Sequence, residues 1–253
     1  MNQLYHRISL LRDQLADQKY IIVPQLVSGL NEHVETIMNL KQRTAEKQPV
    51  FQHVADKNDP TDKDYNDELR KQHVLGWNSQ SPFLRQMSEQ VKDVMDQLFG
   101  SYGLIQSSVS VLYSKQGCGQ QDVHYDYPLN DPFNQQSFGC ILFLENHSKL
   151  IIKFGEVKLV EQRFNEGDLV VFRGDCAHAG GSYEDRDNMR LHYYFDHPNT
   201  TRKPRTTYFG TPTEVMKLSK SLADHRAKMA ERKDIRRKAA KKTNEWRRKQ
   251  KFQ

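Results

Sequence analysis

The chain has 253 residues, of which 36% are hydrophobic, 28% charged and 10% aromatic, and its formal net charge is +6. That length suits one sizeable domain with an appendage, or two small domains, and the aromatic content argues against wholesale disorder. No run of about 18 apolar residues occurs, so a membrane-spanning helix is excluded, and MNQLYHRISLLRDQLADQ at the N-terminus lacks the unbroken apolar core of a secretory leader.

The three cysteines, Cys118, Cys140 and Cys176, are odd in number and widely spaced. They point to a reducing compartment, cytoplasmic or nuclear, rather than to a disulfide framework. The charge is unevenly divided. Residues 214–253 carry 15 basic and 5 acidic side chains, a net of +10, which leaves 23 basic and 27 acidic side chains, a net of −4, on the rest. An acidic body with a basic tail implies a separate task for the tail, and the expected division is 1–212 for the body and 213–253 for a basic helical tail.

In chain order, Leu4, Ile8, Leu11 and Leu15 predict a helix over 3–17. KYIIVP (19–24) is a short β-rich run ended by Pro24. Ser28 is positioned to cap a helix over 29–43. Residues 44–80, with KNDPTDKDYND, read as a long polar loop, in which Tyr65 and Trp77 are candidate substrate contacts. A second helix is predicted from Pro82 to Phe99 and is closed by Gly100 and Gly103. From 107 to 197 six short β-rich runs follow: SSVSVLYS, SFGCILFLEN, KLIIKFG, VKLVEQ, DLVVFRG and MRLHYYFD. Helices ahead of a compact β-unit give an α+β layout with a sandwich or barrel.

The chemistry-bearing pattern is VHYDYP (123–128). In an extended chain residues i and i+2 point the same way, so His124 and Asp126 share a face. FRGDCAHAGG (172–181) offers His178 at the start of a strand. Two imidazoles and one carboxylate form the facial triad of non-haem Fe(II) oxygenases, which leaves positions open for a bidentate 2-oxo acid and O₂. On MRLHYYFD, Arg190, His192 and Tyr194 share a face, and a guanidinium at Arg190 can hold a carboxylate through two parallel hydrogen bonds. Tyr113 offers a phenolic donor from the opposite wall. Cys176 reads as a small buried residue, not a ligand.

LYSKQGCGQQDVHYDYP and FNEGDLVVFRGDCAHAG, followed by Arg190, resemble the prolyl-hydroxylase-like branch of the Fe(II)/2-oxoglutarate-dependent dioxygenases. The likeness spans roughly residues 19–198. It implies a double-stranded β-helix (jelly-roll) with packed N-terminal helices. It implies His124, Asp126 and His178 as iron ligands and Arg190, with Tyr113, as the 2-oxoglutarate pocket. It implies coupled conversion of 2-oxoglutarate and O₂ to succinate and CO₂, with ascorbate as an accessory reductant. The branch often has Ser or Thr two residues after the Arg. Here His192 stands, either as a substitute donor or as a sign of an altered pocket, and a satisfied interior histidine is the plainer reading. Retention of Asp126 speaks against a halogenase.

The plainer reading of Arg190 is a strand residue paired with Asp185 or Asp187, and that of Tyr113 is a core cap. For the tail it is a solvated or disordered end. The functional alternative is a polyanion contact or nuclear-import signal at RRKAAKK (236–242), with Trp246 either stacking on a base or docking back on the body. The leading expectation is a hydroxylase or demethylase of a protein or nucleic acid. The alternatives are a small-molecule or amino-acid hydroxylase, and a non-catalytic cupin-like nucleic-acid-binding protein that uses the tail.

Overall fold

The computed structural model describes residues 2–47, 49–50, 67–76, 78, 80–107, 109–154, 158–203 and 207–208. In the tail it describes Ala223, Ala227, Glu231, Asp234 and Lys238, each helical and exposed. Tyr65, Trp77, Trp246 and the rest of the tail lie outside the described residues.

Among the described residues, three α-helices are interleaved with the first strands and cover a β-structure: α1 (Asn2–Gln18), α2 (Val34–Ala45) and α3 (Pro82–Phe99). α3 begins where Ser81 Oγ accepts from Leu84 N, with Pro82 in its first turn, a pairing that satisfies an otherwise orphaned donor. Ser28 does not cap the second helix. Gly29, at φ 74°, opens a short 3-10 turn over Leu30–His33, and α2 starts only at Val34. The left-handed backbone there suits glycine and not serine.

The strands are β1 (Tyr20–Val23), β2 (Pro49–Val50), β3 (Asp67–Leu75), β4 (Ile105–Gln106), β5 (Val109–Ser114), β6 (Phe138–Phe143), β7 (Ser148–Phe154), β8 (Lys158–Phe164), β9 (Leu169–Arg173), β10 (His178–Gly180) and β11 (Asn188–Asp196). β3 falls inside the stretch read from sequence as a loop. Its DELRKQHVL has little apolar alternation, and pairing with β5 rather than propensity makes it a strand. The larger sheet runs β1-β9-β6-β11-β5-β3-β2, with β4 also on β11, and the smaller runs β10-β7-β8. Each of these neighbouring strand pairs is antiparallel. Two facing antiparallel sheets with helices outside agree with a jelly-roll-like fold.

Strand alternation sorts the larger sheet into two faces. Val109, Val111, Cys140, Leu142, Leu169, Val171, Met189, Leu191 and Tyr193 face the helices and pack with Leu40, Leu84, Met87, Val91, Met95 and Leu98. The opposite face meets the smaller sheet through Tyr20, Ile141, Phe143, Val170 and Phe172, against Leu150, Ile152, Val160 and Phe164. Burying a large apolar side chain contributes about 1.5–3 kcal/mol, so both layers hold the sheet that carries the site.

Gly167 joins β8 to β9 at φ +82°, and a Cβ there would lie 2.0 Å from Val27 O. Gly167→Ala should therefore cost at least about 2 kcal/mol, read as a fall of roughly 5 °C or more in Tm. Gly100→Ala, with open space around it, should change Tm by no more than about 2 °C.

Candidate metal centre

The segment 122–126 is brought against β10 by a single antiparallel bridge, in which His124 N donates to His178 O and His178 N to His124 O, both at 2.9 Å. Alternation then decides orientation. Val123 and Tyr125 pack outward with Ala177, Ala179, Ile151 and Leu159. His124, Asp126 and His178 point between the sheets and are buried, and their ligand atoms lie within 4.8 Å of one another. The three residues expected to converge therefore do.

The imidazoles are in the tautomer that a metal needs. His124 Nδ1 lies 2.7 Å from Asp122 O and His178 Nδ1 lies 3.1 Å from Cys176 O. A carbonyl only accepts, so each Nδ1 carries the hydrogen and each Nε2 presents its lone pair. Burial, and then the neighbouring His178, lowers His124 to about 3. Burial likewise lowers His178. For Asp126 burial acts upward, but His178 and His192 outweigh it and hold the carboxyl below the usual range. The result is two neutral imidazoles and one carboxylate at neutral pH. Asp126 Oδ2 is buried 3.5 Å from His178 Nε2 and 3.2 Å from His192 Nε2. A buried carboxylate beside the Nε2 lone pairs of His124 and His178, all within 4.8 Å of one another, fits a divalent cation such as Fe(II).

Arg190 is buried on the same inner face, and its Nη1 donates to Ser114 Oγ at 3.2 Å. Its Nε has no partner, and no carboxylate pairs with it among the described residues. The structural alternatives fall away, because Asp187 accepts from Gln116 N and pairs with Lys41, while Asp185 pairs with Arg186. Burial lowers Arg190 to about 10, and Arg70 acts in the same direction, so it remains a cation at neutral pH. A Cβ on Gly180 would meet Gln121 Oε1 at 2.4 Å, Arg190 Nη2 at 2.8 Å and Arg70 Nη1 at 2.9 Å. That glycine keeps open a cradle two residues beyond His178 on the same strand face.

Two expectations need correction. Tyr113 is not in this cradle. It lies across from Met189, on the helix side of the sheet, with Lys41 Nζ 5.7 Å from its ring centroid and burial plus Asp187 raising its phenol to about 12. A single-residue step along β5 changes the face, and Ser114 holds the inward place. His192 is on the inner face, but at Asp126, not beside the guanidinium, with its ring 4.4 Å from that of Tyr194.

Sequence reasoning missed Arg70, Ser114 and Gln121. Arg70 lies across from Ser114 on β3 and donates to Ser114 Oγ (2.8 Å), Gly119 O (2.5 Å) and Gly181 O (2.7 Å). A closing strap was also missed. Asp131 Oδ2 accepts from Thr200 Oγ1 and Thr201 N, both at 2.7 Å. Arg202 pairs with Asp196 at 2.8 Å and lies 3.9 Å from the Tyr194 ring centroid. Tyr208 exchanges two backbone hydrogen bonds with Tyr125, at 2.8 and 2.9 Å.

No protein-family profile and no curated protein matches the sequence. Solved structures do match. A prolyl hydroxylase from Trichoplax adhaerens, in complex with a hypoxia inducible factor oxygen degradation domain peptide fragment, aligns with TM-score 0.60 at 12% identity over 78% of this chain and 91% of its own. A Pseudomonas putida prolyl-4-hydroxylase aligns with TM-score 0.56 at 12% identity over 76% and 100%. The epimerase SnoN, in complex with Fe3+, alpha ketoglutarate and nogalamycin RO, aligns with TM-score 0.57 at 11% identity over 79% and 88%. The chain shares the fold of these proteins.

The lowered imidazoles carry a pH signature. Between about pH 6.5 and the folded value near 3 for His124, the unfolded imidazole binds a proton that the folded one does not. The metal-free chain should therefore lose stability as pH falls through that window. Urea midpoints at several pH values check this. His124→Asn should flatten the slope by up to about 1.4 kcal/mol per pH unit, whereas parallel curves would refute the burial of a neutral imidazole.

Proposed function

We propose that this chain is an Fe(II)- and 2-oxoglutarate-dependent oxygenase that hydroxylates a C–H bond, or removes an N-methyl group, on a protein or nucleic acid. The observation that carries the reading is the convergence of His124, Asp126 and His178 with the Arg190 guanidinium beside Gly180, on the same strand face as His178. Residues i and i+2 of a strand are about 6–7 Å apart. A five-carbon 2-oxo diacid spans that separation between its 2-oxo end and its distal carboxylate.

His124, Asp126 and His178 would hold the iron. Arg190 would hold the distal carboxylate through charge-assisted hydrogen bonds. When bound, iron, 2-oxoglutarate and O₂ together supply the oxidising power that inserts oxygen into a C–H bond, with release of succinate and CO₂. The protein's own part is orientation and exclusion of water. The Nδ1 bonds to Asp122 O and Cys176 O orient the two imidazoles. Phe172, fully buried with its ring 4.4 Å from that of His178, and Ile141 and Val170 wall the site with apolar surface. A dry wall strengthens each electrostatic contact inside it.

The macromolecular substrate class is supported by charge. The tail's net of +10 beside a body of −4 suits a polyanionic or acidic partner whose capture is salt-sensitive. The Trichoplax neighbour, with its bound peptide, supports a protein substrate by analogy of fold.

The purified chain with Fe(II) should convert 2-oxoglutarate to succinate, and His124→Ala should reduce this at least about 100-fold. Turnover that survives the substitution would sink the assignment. Screening peptide, nucleic-acid and amino-acid pools for stimulated turnover identifies the substrate class. If the substrate is a polyanion, replacing Arg236, Arg237, Lys238, Lys241 and Lys242 with glutamine should raise KM and flatten its salt dependence while leaving kcat near wild type. An unchanged salt slope would remove the tail from recruitment.

A further inference from the structure

We infer that Ser114 and Gln121 are cosubstrate-selecting residues: they complete, with Arg190, a donor-only seat for the distal carboxylate, and Arg70 is the positioning residue that aims the Ser114 hydroxyl into it. This deepens the oxygenase reading and rests on it. Ser114, 1% exposed, accepts from Arg70 Nη1 at 2.8 Å and from Arg190 Nη1 at 3.2 Å. A hydroxyl has two lone pairs and one hydrogen. Both lone pairs are occupied by guanidinium donors, so the hydrogen points elsewhere, and no acceptor for it stands among the described residues.

Gln121, 5% exposed, is held the same way. Its Oε1 accepts from Gly180 N at 2.9 Å and its backbone N donates to Gly180 O at 3.0 Å. That leaves the amide nitrogen, Nε2, buried without a partner. Arg190 Nε is a third buried donor in the same state. The position a Cβ on Gly180 would take lies 2.4 Å from Gln121 Oε1, 2.8 Å from Arg190 Nη2 and 2.9 Å from Arg70 Nη1, so these three side-chain ends meet beside that glycine.

Buried donors without acceptors are costly, at about 1–3 kcal/mol each, unless a ligand supplies the acceptors. A carboxylate offers two oxygens and about four lone-pair sites. Three donors of different kinds and a net positive charge match that inventory. A neutral chain end would leave them all unsatisfied. The seat therefore discriminates between a 2-oxo diacid and a 2-oxo monoacid. It also takes over the hydroxyl that the resemblance led one to expect at position 192, where a histidine stands instead.

The test is calorimetric titration of the full Mn(II)-loaded chain with 2-oxoglutarate and with 2-oxopentanoate, which has the same backbone but no distal carboxylate. Ser114→Ala should weaken 2-oxoglutarate roughly 10-fold or more and leave 2-oxopentanoate and Mn(II) affinity unchanged, whereas Ser114→Thr, which keeps the hydroxyl, should restore selectivity. Gln121→Leu should act like Ser114→Ala and stands in for it should that variant fail to fold. Arg70→Lys should lower the ratio of the two affinities more than it lowers 2-oxopentanoate binding, which a purely structural Arg70 would not do. If Ser114→Ala and Gln121→Leu leave the ratio unchanged while Arg190→Met abolishes it, the inference is overturned and the oxygenase reading stands. If the wild-type chain binds neither Mn(II) nor 2-oxoglutarate, both fall.

Discussion

Two reciprocal backbone hydrogen bonds between His124 and His178, both 2.9 Å long, are the constraint on which the site depends. They join segments 54 positions apart in sequence, and they set register. With 124 opposite 178, strand alternation sends 124, 126 and 178 to one side and 123, 125, 177 and 179 to the other. A slip of one residue would turn the ligand set into the apolar layer and push Tyr125 and Ala177 inward. The outward layer, where Val123, Tyr125, Ala177 and Ala179 pack with Ile151 and Leu159, resists that slip. Chemistry and packing are two readings of one register.

The inner face of the larger sheet is graded. Towards β9 and β6 it is apolar, with Val170, Phe172, Ile141 and Phe143. Towards β5 and β3 it is polar, with Ser110, Ser114, Gln72 and Arg70. His124, Asp126 and His178 stand between. This arrangement places charge where a charged ligand end can answer it and apolar surface where water must be kept away. Polar groups in such an interior are costly, and the helix-side layer built around Val91, Val109, Leu142 and Leu191 supplies stability that the site itself does not.

Much of this was legible in the sequence. The HxD pair needs only i, i+2 alternation, and the glycine–aspartate turn before His178 marks a strand entry. Arg190 was legible because β11 alternates cleanly. α1 and α3 followed from periodicity, and Pro82 marks the start of α3. What was not legible shares one cause, which is cross-strand register. Tyr113 and Ser114 are neighbours, and only pairing with Asn188 and Met189 on β11 decides which faces inward. Arg70 sits in a strand without apolar alternation, so nothing local announces it. His192 is on the face expected of it, yet its distance to Asp126 depends on how 122–126 lies over the sheet.

The strap that ends at Tyr208 links the tail to the ligand strand. Tyr208 is hydrogen-bonded to Tyr125, the residue between His124 and Asp126. A displacement of Tyr208 would therefore be felt in the backbone that carries His124 and Asp126, because the two reciprocal bonds help to fix how that backbone lies.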